Sequence, residues 1–193
     1  MNIPVQLFIY LLAILIYFIY KKKKGLKNQE ILKRLGLSFS YSTYYLLGVL
    51  FSILSLLVAW VIFYLFPIEE DLLKQTSYKN YNISTFSLIP VFLIFVRELV
   101  FIAFGEELLF RGLFGGHFFR KFSYVKANIF QTIIFLIPHI LLLFVSLKLL
   151  PILFLTFLSG WLLGWLRYKS DSIFPGVLMH SLTNTISIIV FYI

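Results

Sequence analysis

The stretch "FIAFGEELLFRGLFGG" (residues 101–116) places three charged residues, Glu106, Glu107 and Arg111, inside an otherwise apolar run. It belongs to a longer apolar segment, about residues 86–114, which exceeds the roughly 20 residues that one untilted membrane span needs. An ionisable side chain at the bilayer centre costs about 2.5–3.5 kcal/mol on insertion scales, so such residues usually face the interior of a helix bundle and mark function. The stretch therefore predicts a functional site inside a membrane-spanning fold.

The composition supports a membrane protein. Of the 193 residues, 61% are hydrophobic and only 13% are charged, whereas soluble domains average about 25% charged residues. The length allows one domain, built as a bundle of spanning helices. The chain contains no cysteine, which excludes disulfides, a thiol nucleophile and a cysteine-based zinc site.

The net charge of +9 does not indicate nucleic-acid binding, because the charge is concentrated next to an apolar segment. Seven of the seventeen Lys and Arg residues lie in "KKKKGLKNQEILKR" (21–34), directly after the first hydrophobic stretch. A juxtamembrane basic cluster is typical of a cytoplasmic loop beside anionic lipid headgroups. We expect membrane lipids, and no nucleic acid, as partners.

The pattern predicts an all-α, polytopic transmembrane helical bundle with about six spans. Basic loops follow the first, third and fifth spans, which places these loops in the cytoplasm and the N-terminus outside a multi-pass protein of the cell membrane. The third span can tilt, break near Pro90 or extend past the inner interface. Residues 28–37 are expected to lie in the inner interface, and residues 67–85 to form an external loop. The predicted spans cover about residues 3–20, 42–66, 86–114, 127–146, 149–166 and 172–193.

Polar residues on three of these spans lie at similar depth. At about 1.5 Å per residue, His180 lies roughly 13 Å and His139 roughly 18 Å from the cytoplasmic ends of their spans. Glu107 and Arg111 have the i,i+4 spacing of an ion pair, while Glu106 is turned about 100° away and is free to act on water. We expect these residues to meet in the cytoplasmic half of the membrane.

His180 and Asn184 are also i,i+4 and project from one face of the last span. A carboxylate and an imidazole around a water form a general base, and a second His with an Asn can stabilise an oxyanion. Alternatively, Glu106, His139 and His180 can bind a zinc ion that activates the water. Both arrangements lead to hydrolysis of an amide bond.

Each feature alone has a simpler explanation. Glu107 and Arg111 can form a purely structural ion pair. His139, which follows Pro138, can satisfy a carbonyl that the proline leaves unpaired. Asn184 can hydrogen-bond between helices. The conjunction of acid, imidazole and amide on three spans favours a catalytic site.

Three further features have structural interpretations. Arg97 and Glu98 can be a buried pair that supports the site, or the point where the third span breaks. Gly160 and Gly164 form a GxxxG motif, which usually indicates close helix packing. His117 lies in the basic loop and is expected to be solvated.

Three motifs together resemble a known family. "EELLFR" (106–111), "FLIPH" (135–139) and "HSLTN" (180–184) are similar to the EExxxR, FxxxH and HxxxN motifs of the CPBP family. This family comprises CAAX-type prenyl-protein endopeptidases and the bacteriocin-processing or immunity membrane proteins also called ABI proteins. The similarity extends over roughly residues 86–190, about half of the chain.

The resemblance implies an intramembrane endopeptidase, either a metalloprotease or a glutamate protease. Glu106 would be the catalytic base acting with His139 on a water, and His180 and Asn184 would form the oxyanion site. Zinc is a possible cofactor, and a metal-free mechanism is equally possible. The implied supporting residues are Glu107 and Arg111.

The resemblance also implies a division of the chain. Residues 1–85 would provide N-terminal anchor helices, the basic loop and the external loop, and residues 86–193 the catalytic helical core. The apolar "IIFLI" (133–137) and Pro138 depart from the family pattern before the second motif. The short chain favours the bacterial immunity and peptide-processing branch.

The expected substrate is a membrane-associated peptide or lipidated protein, such as a bacteriocin, a pheromone precursor or a CAAX-type tail. Two other functional classes remain open. The bundle can confer bacteriocin self-immunity or act as a membrane scaffold without proteolysis. It can also be a transporter or proton relay built on the buried Glu and His residues, although no internal repeat is visible.

Overall fold

The computed structural model describes residues 5–73 and 87–192, and these residues form helices and turns without any strand. The predicted all-α helical bundle is therefore confirmed. A 3₁₀ turn at Leu147–Leu149 connects two of the helices. In chain order the helices are α1 (Val5–Lys23), α2 (Asn28–Arg34), α3 (Ser42–Leu65), α4 (Glu70–Leu73), α5 (Leu88–Phe119), α6 (Tyr124–Ile140), α7 (Leu142–Val145), α8 (Leu150–Ser170) and α9 (Phe174–Tyr192).

Several helices are long and apolar enough to cross a membrane, which makes the chain a multi-pass membrane protein. The predicted sixth span forms α9, whose apolar part, Phe174–Val190, is somewhat shorter than the others. Five candidate spans are present in the described part of the chain: Val5–Lys23, Ser42–Leu65, Leu88–Phe119, Tyr124–Val145 and Leu147–Ser170.

The third predicted span is one continuous helix, α5, and it extends beyond the expected end at residue 114. Pro90 does not break it, because Pro90 lies in the first turn, where backbone N–H groups have no partner within the helix. The expected loop 116–126 is correspondingly shortened, since α5 ends at Phe119 and α6 begins at Tyr124. His117 is exposed in the last turn of α5, rather than in the loop.

Two parts of α5 are π-helical, Glu98–Ala103 and Glu107–Gly115, with a short α-helical piece at Phe104–Glu106 between them. π-Helical turns are rare and frequently occur at functional sites, because the extra residue redirects the side chains around it. All the acidic residues of α5 lie in or directly beside these turns.

Helix α9 packs against α3 and α5, and α8 packs against α6. Glycines permit these close contacts. A Cβ atom on Gly48 of α3 would lie 2.8 Å from the Pro175 carbonyl oxygen at the start of α9. A Cβ atom on Gly164 of α8 would overlap the side chains of Asn128 and Gln131 on α6. The prediction that the GxxxG motif serves close helix packing is thus confirmed.

The smaller elements lie between the long helices. The expected interfacial segment 28–37 contains α2, although the helix ends at Arg34. Residues 74–86, most of the predicted external loop, lie outside the described residues. Glu69, at the described start of that loop, accepts a hydrogen bond of 2.5 Å from the Lys148 ammonium. This hydrogen bond and the Lys148 charge lower the pKa of Glu69 and place the two connections at the same end of the bundle.

Candidate active site

The centre of the site is a buried array of Glu107, Arg111 and His180. The Oε1 atom of Glu107 accepts a hydrogen bond of 3.1 Å from Arg111 Nη1 and one of 2.9 Å from His180 Nδ1. The side chains of Glu107 and Arg111 are fully buried. The ion pair expected from the i,i+4 spacing on α5 is present, and it also fixes the imidazole that α9 supplies.

Glu106 lies on the other side of the same imidazole. Its Oε2 atom is 3.8 Å from His180 Nε2, which is beyond direct hydrogen-bond distance. In the described part of the chain, this is the one basic group within 4 Å of the Glu106 carboxylate. Glu107 is therefore neutralised by Arg111, whereas Glu106 faces the Nε2 atom of His180 without a direct hydrogen bond.

Asn184 is held one turn further along α9. Its Nδ2 group donates a hydrogen bond of 2.9 Å to Oε2 of Glu98, in the first π-helical segment of α5. Glu98 is only 4% exposed and is also paired with Arg97 at 3.3 Å. Of the two sequence interpretations of Arg97 and Glu98, the structure shows a pair, with Glu98 buried and Arg97 partly exposed, and no break in the helix.

His139 makes a different contact from the one expected. Its Nδ1 atom donates a hydrogen bond of 3.0 Å to the carbonyl oxygen of Phe135, one turn earlier in α6. Pro138 lacks an N–H group, which leaves the Ile134 carbonyl, and not that of Phe135, without its usual partner. No hydrogen bond between His139 and Glu106 is present among the residues that the structure describes.

The aromatic ring of Phe135 connects the parts of the site. The Arg111 guanidinium lies over the ring at 4.0 Å from its centroid, a cation–π contact. The ring also contacts the imidazoles of His139, at 4.9 Å between centroids, and His180, at 6.2 Å. Phe135 therefore links the motif residues of α5, α6 and α9.

The residues predicted as zinc ligands do not form a metal site in this arrangement. Within residues 5–73 and 87–192, no group of three His, Asp or Glu side chains has the spacing to hold a metal ion. In particular, His139 is directed to its own helix, whereas His180 lies against the two glutamates. The chemistry proposed below therefore uses only side chains of the chain.

Sequence reasoning missed a buried polar cluster between α6 and α8. Gln131 Nε2 donates a hydrogen bond of 3.0 Å to the Gly160 carbonyl, and Arg111 Nη2 lies 3.4 Å from the same oxygen. Asn128 Nδ2 donates to the Trp161 carbonyl at 3.2 Å. The sequence does contain a signal for this cluster. Asn128 and Gln131 are amides at i,i+3 in an apolar span, and amide side chains in membrane helices hydrogen-bond to neighbouring helices.

The fold and this site define a class: a multi-pass helical membrane protein with acid, imidazole and amide side chains gathered at depth within the bundle. A family model for type II CAAX prenyl endopeptidases, described as Rce1-like, matches residues 87–186, which is 100 of the 193 residues. The chain therefore belongs to this family, as the three motifs indicated, and membership makes it a protease at the level of the family. Neither a curated protein nor a solved structure matches the chain.

Proposed function

We propose that the protein is an intramembrane endopeptidase that cleaves a membrane-associated or lipidated substrate with a water activated by Glu106 and His180. The main support for this proposal is the position of the His180 imidazole between two glutamates, of which Glu107 is paired with an arginine and Glu106 is not. Glu107 holds His180 Nδ1, while His180 Nε2 lies 3.8 Å from Glu106. We propose a glutamate-type mechanism, since Glu106, His139 and His180 do not together have the spacing to hold a metal ion.

The hydrogen bond to Glu107 determines the orientation of His180. In the proposed mechanism the ring is neutral, so that Nδ1–H donates to Glu107 and the lone pair of Nε2 points towards Glu106. A water placed beside the gap can donate one hydrogen to Glu106 and the other to Nε2. Both acceptors would then orient the water oxygen towards a substrate carbonyl.

In the first step, Glu106 removes a proton from this water as its oxygen attacks the carbonyl carbon and a tetrahedral oxyanion forms. In the second step, Glu106 returns the proton to the amide nitrogen as the C–N bond breaks. Water is consumed, and an acid and an amine are released. Burial strengthens each of these electrostatic interactions, because the surrounding dielectric is low.

Asn184 is the proposed oxyanion donor. One of its two amide hydrogens is bonded to Glu98, which leaves the second available to the substrate oxygen. His139 has only Nε2 available, because its Nδ1–H is bonded to Phe135. We propose that this nitrogen contacts the water, the role that the family resemblance assigns to His139.

The family description supports a proposal about the substrate class. Its description names prenyl endopeptidases of CAAX substrates, so we propose a prenylated or otherwise lipidated peptide as substrate. The match begins at residue 87, which supports the division into an N-terminal part, residues 1–85, and a catalytic core, residues 86–193. We propose that the core lies in the cell membrane with the site in its cytoplasmic half.

Cleavage by purified protein in liposomes tests the proposal. A prenylated CAAX peptide and a non-prenylated copy are incubated with the wild type, Glu106→Gln and His180→Gln, and products are identified by mass spectrometry. The matched control is Glu30→Gln, an acid on α2 half-exposed beside Arg34. General acid–base groups contribute about 10²–10⁴-fold, so each active-site variant should lose at least about 100-fold in rate while the control retains it.

Unchanged cleavage by the Glu106→Gln variant would overturn the proposed mechanism, and loss of cleavage with a chelator would favour a metal instead. If the wild type forms no product but bacteriocin immunity survives Glu106→Gln in cells, the protein acts by binding. Substrate flux into the same liposomes without cleavage would indicate a transporter.

A further inference from the structure

A cavity of about 400 Å³ lies at the ends of α5 and α8, away from the glutamates. Its lining includes the cations Arg120, Arg167 and Lys169 with one acid, Asp171, so the local charge is +3 − 1 = +2. Cavities of about 300–1,000 Å³ are typical of ligand sites. The cavity is therefore large enough for a small anionic group and carries the complementary charge.

Arg167 is the buried member of this cluster. It is 5% exposed, its Nη1 lies 3.3 Å from Asp171 Oδ1, and its Nη2 donates a hydrogen bond of 3.2 Å to the carbonyl of Arg34. Its Nε–H group is buried without a hydrogen-bond partner. A Cβ atom on Gly36, which does not line the cavity, would lie 2.7 Å from this Nε, so the group faces Gly36 and an anion in the cavity would contact the Nη groups instead.

A second guanidinium converges on the same point. Arg120 Nη1 donates a hydrogen bond of 3.3 Å to the Arg34 carbonyl, which also accepts from Arg167. Burial lowers the pKa of Arg120, and the charge of Arg34 contributes in the same direction. Two arginines that share one carbonyl oxygen repel each other, and an anion between them would offset that repulsion.

The backbone is shaped to bring these groups together. Gly36, after α2, has φ +72°, and a Cβ atom there would lie 2.7 Å from Arg167 Nε. A Cβ atom on Gly116 would lie 2.6 Å from the Arg34 carbonyl oxygen. Both glycines allow α2 to approach the ends of α5 and α8. The packing of these three helices therefore brings the basic side chains of the cavity together.

We propose that this cavity binds the phosphate of an anionic lipid headgroup. Its position favours a lipid, because α2 directly follows the Lys21–Lys24 cluster at the end of a membrane span. Aromatic rings typical of a membrane interface line and flank it, and the rings of Tyr168 and Tyr124 lie 4.7 Å apart between centroids, tilted by 39°. Basic pockets between membrane helices are a known form of headgroup site. The proposal goes beyond peptide cleavage and does not depend on it.

Lipid retention by the full-length protein tests this inference. Protein in detergent micelles is titrated with phosphatidylglycerol, phosphatidylcholine or inorganic phosphate, and bound molecules are counted by native mass spectrometry. The main variant is Arg120→Gln/Lys169→Gln, since both side chains are exposed and the fold should persist. The control is Lys33→Gln/Lys126→Gln, which removes the same charge from exposed positions outside the cavity.

We expect the wild type and the control to retain one phosphatidylglycerol, and the main variant to bind it at least about tenfold more weakly, roughly 1.4 kcal/mol. Arg167→Gln should weaken binding further if it folds. Equal retention by the main variant, equal retention of phosphatidylcholine, or equal weakening in the control would overturn the proposal. Competition by inorganic phosphate at the same concentration would assign the site to a soluble anion. None of these readouts requires cleavage, so the two proposals can fail separately.

Discussion

At the scale of single residues, the site depends on two adjacent glutamates that have different partners. Glu106 and Glu107 are adjacent in sequence, yet only Glu107 has an arginine partner. Because Oε1 of Glu107 accepts from both Arg111 and His180, a change at either donor also affects the other. Arg111 in turn is held by the Phe135 ring. The pair therefore positions the imidazole and is not itself expected to react.

The buried pair gives a prediction about stability. Removal of one partner of a buried ion pair costs about 3–5 kcal/mol, because the remaining charge is uncompensated. Glu107→Gln and Arg111→Met should each lower the thermal unfolding midpoint strongly, whereas the double variant should be no less stable than either. The midpoints are measured in detergent micelles. A double variant that loses the sum of both single effects would show that the two residues act independently.

Glu98 gives a prediction about catalysis, because it acts through Asn184. Glu98→Gln keeps the side-chain size but can turn its own NH₂ group towards Asn184, which disturbs the amide that the mechanism uses. We expect kcat to fall about 10-fold or more with little change in KM, as for the loss of a transition-state contact. Glu98→Asp should restore part of the rate. A change in KM alone would assign Glu98 to substrate binding.

At the scale of helices, the contact between α6 and α8 supports the site from behind. Gly160 and Gly164 permit the approach, and the Gly160 carbonyl accepts from Gln131 and faces Arg111. The same two helices thus provide both close packing and a polar contact for Arg111 of the buried ion pair. Motif residues on α5 depend on glycines that lie about 50 positions later in the sequence.

This contact gives a prediction at the same scale. Gly164→Ala would place a methyl group on the side chains of Asn128 and Gln131, so the helices must separate. We expect a clear loss of thermal stability, of the order of 1–3 kcal/mol, as in overpacked cores. Gly160→Ala should cost less, because its Cβ would meet neighbours at 3.1 Å or more. Ser159→Ala on the same helix is the control, and equal effects in all three would refute the explanation.

The extent to which the sequence predicted the site depends on how local each contact is. The Glu107–Arg111 pair lies within one helix turn and follows from spacing alone. The meeting of His180 with the glutamates follows from depth, because the spans align in the membrane. The contact of Asn184 with Glu98 could not be assigned, since π-helical turns alter the angle per residue that such reasoning assumes. The contact of His139 with Phe135 depends on a side-chain orientation that the motif does not encode.

At the scale of the whole molecule, the ends of the bundle have different chemistry. The Lys21–Lys24 cluster, α2, Arg120 and the basic cavity lie at one end, joined through the Arg34 carbonyl. The Glu69–Lys148 contact joins two connections at the end of α3 and the start of α8. Since basic loops remain in the cytoplasm, the first end should face inwards and the second outwards.

The absence of native cysteine makes this orientation directly measurable. Three single variants, Lys24→Cys, Lys121→Cys and Lys148→Cys, each place one thiol at an exposed position in a different connection between helices. In intact cells, a membrane-impermeant maleimide should label Lys148→Cys, whereas Lys24→Cys and Lys121→Cys should react only after permeabilisation. The cysteine-free wild type controls for background. The reverse pattern would place the basic cavity and the candidate active site in the outer half of the membrane, and the proposed location of the site in the cytoplasmic half would have to be abandoned.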